Sequence, residues 1–252
     1  MLKFLHLFIA SFFLFAGNGF ANQKVDNLND KLWWAVNDDD LERAEELVAQ
    51  GADVNYQSPI TLLMMSGQNG SIEMTDFLLA HGADPLRITD NGNTTVMWTV
   101  GAPANSAALC KRFVYLGVDP FARNKTGSHA LYTAGYRNDI EAIEYLLSVG
   151  VPVDYHGYDD RSALFSATKD ESYQAADYLI SHGANINFQD KYGRSALFVP
   201  AMTGKLSVAK YLIAHGISVN LRDERGRTAL TMALRQNQTE MAELIRSAGG
   251  IE

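Results

Sequence analysis

A glycine that recurs at a nearly constant interval is the strongest constraint on how this 252-residue chain can fold. Most of the intervals are 33 residues long, and each glycine follows an apolar segment and precedes a short turn. Glycine is favoured just after the end of a helix because it adopts positive φ without steric cost. The pattern predicts about seven repeating units, which end at Gly51, Gly82, Gly117, Gly150, Gly183, Gly216 and Gly249.

The unit at residues 190–222 shows the internal order most completely. It begins with a turn-like sequence, and Ser195 is predicted to cap a short first helix that Gly204 ends. Apolar residues at helical spacing then predict a second helix before the closing glycine. Two short helices cannot bury their own apolar face, so successive units must stack into one elongated domain.

This order resembles that of ankyrin-repeat proteins, which have a 33-residue period and a T-P-L-H-x-A signature. The signature appears as TALTMA at residues 228–233 and in part at residues 195–198. The resemblance implies an all-α solenoid of about seven helix-turn-helix repeats joined by β-turn or hairpin loops. It places the domain at residues 30–252, with repeats at about 30–57, 58–88, 89–123, 124–156, 157–189, 190–222 and 223–252.

Two departures from the family pattern affect the prediction. The signature histidine is kept in no repeat, and its proline is mostly alanine, which predicts the loss of hydrogen bonds that usually tie neighbouring ankyrin repeats together.

Pro200 is predicted to lie past the first turn of its helix, where proline removes a hydrogen bond and crowds a carbonyl. Pro200 is either a tolerated kink or a change of groove shape that serves a partner.

The first 21 residues have the layout of a secretory signal peptide. Lys3 precedes an apolar run too short to span a membrane comfortably, and cleavage is predicted between Ala21 and Asn22. Residues 22–29 are a polar lead-in, and Asp30 is predicted to cap the first helix. The chain is therefore similar to small exported ankyrin-repeat proteins of Gram-negative bacteria. We expect a periplasmic or secreted protein, with an uncleaved membrane anchor as the alternative.

Charge and motif content narrow the possible functions. The net charge of −8 argues against nucleic acid, which is bound through Lys and Arg at phosphates. The sequence contains none of the common catalytic motifs, and Cys110 is expected to be a buried apolar residue. His182 and His215 are one repeat apart, about 8–10 Å, which is too far to share a metal ion. We expect no enzymatic activity, no cofactor, no metal and, after signal cleavage, a monomer without membrane insertion.

Partners of ankyrin-repeat proteins usually contact the concave face, which is built from loop tips and the ends of the first helices. Tyr and Arg are enriched among binding hot spots. Carried onto this chain, the pattern predicts a protein-binding surface at Tyr136, Arg137, Tyr158, Asp159, Lys169, Tyr192, Met202 and Arg225. We expect a non-enzymatic scaffold that binds another protein there. The alternatives are an immunity-type inhibitor of a toxic exported enzyme and a membrane-anchored adaptor.

Overall fold

The computed structural model describes residues 28–157, 159–168 and 173–252. Within these ranges fourteen helices form seven consecutive pairs without a β-strand, so the predicted all-α repeat fold is confirmed. The predicted signal peptide lies outside the described residues. The helices are α1 Leu28–Asn37, α2 Leu41–Ala49, α3 Leu62–Asn69, α4 Ile72–Ala80, α5 Thr95–Thr99, α6 Ser106–Tyr115, α7 Ala130–Arg137, α8 Ile140–Ser148, α9 Ala163–Ala167, α10 Gln174–Ser181, α11 Phe198–Thr203, α12 Leu206–Ala214, α13 Ala229–Arg235 and α14 Thr239–Ser247.

Local signals in the sequence define most helix ends. Thr61, Thr94 and Thr228 each accept a hydrogen bond from the backbone N–H three residues ahead, which caps α3, α5 and α13. At the other end, the seven predicted glycines all have φ between 83° and 98°. A side chain at these positions would be strained. Glycine therefore recurs because each second helix ends with a residue of positive φ.

The hydrophobic core is divided into two clusters of buried residues. The first extends from Leu32 to Ala184 and the second from Ala196 to Ile245. Tyr173, Ile186 and Tyr211 are only partly buried and pack against both clusters, with the two tyrosine rings stacked 4.2 Å apart. The stack of repeats is therefore least continuous between the fifth and sixth helix pairs. Cys110 is fully buried in the first cluster, as predicted, and burial raises the pKa of its thiol.

Asparagine side chains tie neighbouring repeats together along the loops. Asn55 donates to the carbonyl of Gly82 at 3.0 Å and accepts from the N–H of Asp84 at 2.8 Å. Asn220 does the same one repeat before the end of the chain, with the carbonyl of Gly249 and the N–H of Ile251. These amides reach across the junctions, so they tie neighbouring repeats together without the signature histidine.

Two predicted helix starts are wrong. The first helix begins at Leu28, so Asp30 lies in its first turn and accepts a hydrogen bond from the hydroxyl of Tyr56 at 2.5 Å. Helix α11 begins at Phe198, and Ser195 does not cap it. Pro200 is therefore the third residue of α11 and lies in the first turn. The first four N–H groups of a helix have no intrahelical partner, so proline costs no hydrogen bond there.

His129 takes the capping position of α7, where α3, α5 and α13 have threonine and α9 has serine. Its ring is fully buried, and Nδ1 accepts a hydrogen bond from the N–H of Tyr132 at 3.2 Å. Burial, followed by the positive charges of Arg123 and His156, lowers the pKa of His129 to about 4. The fold therefore holds the neutral imidazole, because only the neutral ring can accept that bond.

We predict that His129 makes the protein sensitive to acid. Below pH 6.5 the histidine of the unfolded chain binds a proton and the folded one does not, so stability falls until the pH reaches about 4. The loss should be of the order of 3 kcal/mol, since one pKa unit corresponds to about 1.4 kcal/mol. Urea unfolding between pH 7.5 and 4 should show a shallower pH dependence for His129→Thr, which keeps a capping oxygen. Equal pH dependence in the two proteins would contradict the prediction.

Candidate partner-binding cleft

A cleft of about 470 Å³ lies between the first helices of the fourth and fifth pairs, α7 and α9, and α11 of the sixth pair. Its volume falls in the range of binding pockets in proteins. Aromatic and aliphatic side chains make up much of its wall, and its charged residues are both basic. The cleft is lined by Ser128, Tyr132, Thr133, Tyr136, Arg161, Phe165, Ser166, Thr168, Ala196, Val199, Pro200 and Lys205.

Helices α7 and α9 approach each other closely beside the cleft. A Cβ atom on Gly135 would lie 2.6 Å from the carbonyl oxygen of Ala163, so only glycine allows this spacing. The hydroxyl of Ser166 closes the contact by donating to the carbonyl of Tyr132 at 2.7 Å. One repeat later, the residue at the place of Gly135 is Thr168, which directly follows α9, and α9 and α11 make no comparably close contact.

The two helices on either side of the cleft both begin without a side-chain cap. The hydroxyl of Ser162 is buried and has no hydrogen-bond partner among the described residues. Leu197 occupies the capping position of α11 and has no oxygen to offer. Helices α9 and α11 are also short, with five and six residues, whereas α3 and α7 have eight. The fifth and sixth pairs therefore meet through shortened first helices, which leaves room between them.

Arg161 connects the cleft to the adjacent loop tip. Its Nε lies 3.6 Å from the carboxylate of Asp190, which is too long for a hydrogen bond, and its side chain is 35% exposed. The buried carboxylate of Asp190 already accepts from Nε of Arg194 at 2.9 Å and from a second nitrogen of that guanidinium at 2.7 Å. Two guanidinium groups thus share one carboxylate, and positive charge remains at the end of the cleft.

Tyr192 is held at the loop tip next to this pair. The guanidinium carbon of Arg194 lies 4.5 Å from the centre of the Tyr192 ring, and Nζ of Lys191 lies 5.0 Å from it. Lys191 also donates to the carboxylate of Asp159 across the repeat junction, and this contact lowers the pKa of Asp159. The arrangement packs the ring against two cations and leaves 43% of Tyr192 exposed. A preordered, partly exposed aromatic ring beside cations is suited to contact with a partner.

The structure separates the predicted site residues into groups. Tyr136 lines the cleft, Met202 lies on α11 beside it, and Asp159 and Tyr192 form the adjoining tip. Arg137 is on α7 but lines a different depression, together with residues 101–106, 108 and 138–141. Three predicted residues lie elsewhere or outside the described part: Arg225 is at the next loop tip, and Tyr158 and Lys169 are not among the described residues.

Val199, Phe165 and the charge of Arg161 at the cleft were not predicted from sequence. The signal that could have identified the cleft is Pro200, whose effect on a groove was one of the two interpretations. At the positions one and two repeats after Arg161, Arg194 and Arg227 bind the carboxylates of Asp190 and Asp223 in their own turns. These two side chains therefore mainly brace the turns, and their charges are already neutralised.

Other chemistry is sparse in the part of the chain that the structure describes. No group of three or more His, Cys, Asp or Glu side chains there could hold a metal ion. No helix among residues 28–252, apart from the five that are not described, is long and apolar enough to cross a membrane. His81, His182 and His215 each place Nδ1 2.8 Å from the carbonyl oxygen four residues earlier, so they close the ends of their helices.

We predict that Gly135→Ala destabilises the protein by about 1–3 kcal/mol, the usual cost of overpacking, because the new methyl group meets the backbone of α9. Chemical unfolding measures the effect, and Thr133→Ala on the same helix serves as the control. In a helix without this contact, alanine stabilises relative to glycine by up to about 1 kcal/mol. A Gly135→Ala protein as stable as the native one, or more stable, would show that α7 and α9 are not in close contact.

Comparison with known proteins supports the architecture. The sequence model of the family described as ankyrin repeats (3 copies) matches residues 97–190 and 174–252, which together exceed half of the chain. Among solved structures, the human ASB11 ankyrin repeat domain is similar, with a TM-score of 0.67 and 22% sequence identity. That alignment covers 85% of this chain and 96% of the ASB11 domain chain, and it supports the fold alone. No curated protein matches the chain.

Proposed function

Because the chain belongs to the ankyrin-repeat family, whose repeats generally mediate protein–protein binding, we propose that it is a non-enzymatic scaffold that binds a partner protein across the α9–α11 cleft. Family membership supports protein binding in general, and the cleft is the proposed binding site. This junction combines a cleft, exposed apolar side chains and a partly exposed aromatic ring at the adjacent loop tip. The binding surface then extends from the cleft to Asp159 and Tyr192.

The exposed apolar side chains at the cleft carry this proposal. Val199 is 49% exposed and Tyr136 is 39% exposed, and both line the same opening. Burial of apolar surface is the main favourable term in association, at about 25 cal/mol per Å². Exposed apolar side chains that converge on one depression mark an interaction site more often than scattered ones do. A partner that covers these two residues removes them from water without any rearrangement of the stack.

The proposed location is the bacterial periplasm. The charged start at Lys3, the apolar run and the small residues before Asn22 support export. A single cysteine also fits this location, because a chain with one cysteine needs no disulfide to fold in an oxidising compartment. The identity of the partner distinguishes a factor that assembles an exported enzyme from an inhibitor of a toxic one.

Site-specific photo-crosslinking in the native host tests the proposed function. A benzophenone amino acid replaces Val199 at the cleft or, as the control, Glu144, which is exposed on α8. We expect one partner protein to be crosslinked at position 199 and not at position 144, and to be identified by mass spectrometry. N-terminal sequencing of the same preparation should begin at Asn22.

Two results would count against the proposal. Equal crosslinking at positions 199 and 144 would show that the cleft is not the binding surface, and no protein adduct at either position would remove protein binding as the function. A mature chain that still carries residues 1–21 and stays with the membrane fraction would instead support the anchored adaptor.

A further inference from the structure

The α9–α11 cleft has a charge opposite to that of the protein that contains it. The chain carries 29 acidic and 21 basic residues, yet the charged side chains that line the cleft are Arg161 and Lys205. No Asp or Glu is among the described lining residues. A depression of one charge with apolar walls concentrates the local field, so it selects for a ligand group of the opposite charge.

The position of Arg161 makes it the cation available to a ligand. Its Nε is buried and has no hydrogen-bond partner among the described residues. The carboxylate nearest to it, on Asp190, is engaged by Arg194 and by the backbone N–H groups of Tyr192 and Arg194. A guanidinium has five N–H donors in a planar fork that matches the two oxygens of a carboxylate. The Arg161 side chain is 35% exposed and shares its nearest carboxylate with Arg194, so an incoming carboxylate can approach it from the cleft.

Apolar surface lies within the same opening. The rings of Tyr136 and Phe165 and the side chain of Val199 line the walls beside Arg161. A ligand that satisfies both features has one bulky apolar side chain and one carboxylate close together. A volume of about 470 Å³ accommodates a few side chains, which is the scale of a short peptide segment.

We propose that the cleft recognises a short acidic segment of the partner protein, in which a bulky apolar side chain enters the cleft and a neighbouring Asp or Glu pairs with Arg161. This inference rests on the proposed function, since it assumes that the occupant is a protein, and it adds the chemistry that the occupant must have. The acidic surface elsewhere on the chain repels such a segment, so charge directs it to this junction and away from the other repeats.

Peptide display on the purified protein tests the inference. Random ten-residue peptides are selected for binding, and the sequences are compared with those selected on a Val199→Glu protein, which places a carboxylate at the cleft. We expect the native protein to enrich peptides with an aromatic or long aliphatic residue near Asp or Glu, and the variant to lose them. Enrichment of basic or purely apolar peptides would overturn the inference.

Fluorescence anisotropy with the best labelled peptide then measures the role of Arg161. Arg161→Gln should raise Kd about tenfold, the equivalent of about 1.4 kcal/mol, and Arg161→Lys should raise it less. Lys210→Gln removes the same charge from the exposed surface of α12 and should leave Kd unchanged. Thermal unfolding of each variant confirms that it is folded. Equal weakening by Arg161→Gln and Lys210→Gln would overturn the proposed ion pair.

The two proposals fail in different ways. A partner that crosslinks at position 199 through a segment without Asp or Glu leaves the proposed function intact and removes the acidic segment. Selective peptide binding at Arg161 without any protein crosslinked at position 199 removes the proposed function.

Discussion

Each helix pair of this protein covers its apolar face only with the neighbouring pairs, so the stability of the fold is a sum over junctions. Most junctions have two parts: first helices that pack closely, and loop amides such as Asn55 and Asn220 that bond to the next repeat. The junction between the fifth and sixth pairs keeps its loop contacts and its stacked tyrosines, but its first helices stay apart. The cleft exists because the loops and second helices of these two pairs are in contact while their first helices are not closely packed.

Two residues, one on each side of the cleft, account for that opening. Gly135 allows α7 to pack directly against the backbone of α9, so α9 is in close contact with the fourth pair. Pro200 is accommodated because α11 starts late, which shortens the helix on the other side. The same opening divides the hydrophobic core into its two clusters. Occupation of the cleft by a partner would join them, so binding and the stability of the second cluster should be linked.

The period of the glycines was sufficient to predict the fold. A residue with positive φ at the end of a helix is usually glycine, and the spacing of these glycines gives the length of the repeat. Tyr136 and the loop tip around Tyr192 were also predictable as exposed positions of the repeat. The cleft was not, because it depends on the distance between α7 and α9, and a sequence gives no such distance. The start of α11 was not predicted, because Ser195 is a favourable capping residue. A start at Phe198 instead places Pro200 in the first turn, where proline is tolerated.

Hydrogen exchange in the presence and absence of the crosslinked partner tests most directly that the open junction is the binding site. The amides of α9 and α11 belong to short helices with uncapped starts and should exchange faster than those of α7 and α13 in the free protein. In the complex we expect protection to rise at α9, α11 and the tip at Tyr192, while α2 is unchanged. Protection that rises along the second helices instead, with α9 and α11 unaffected, would contradict this account.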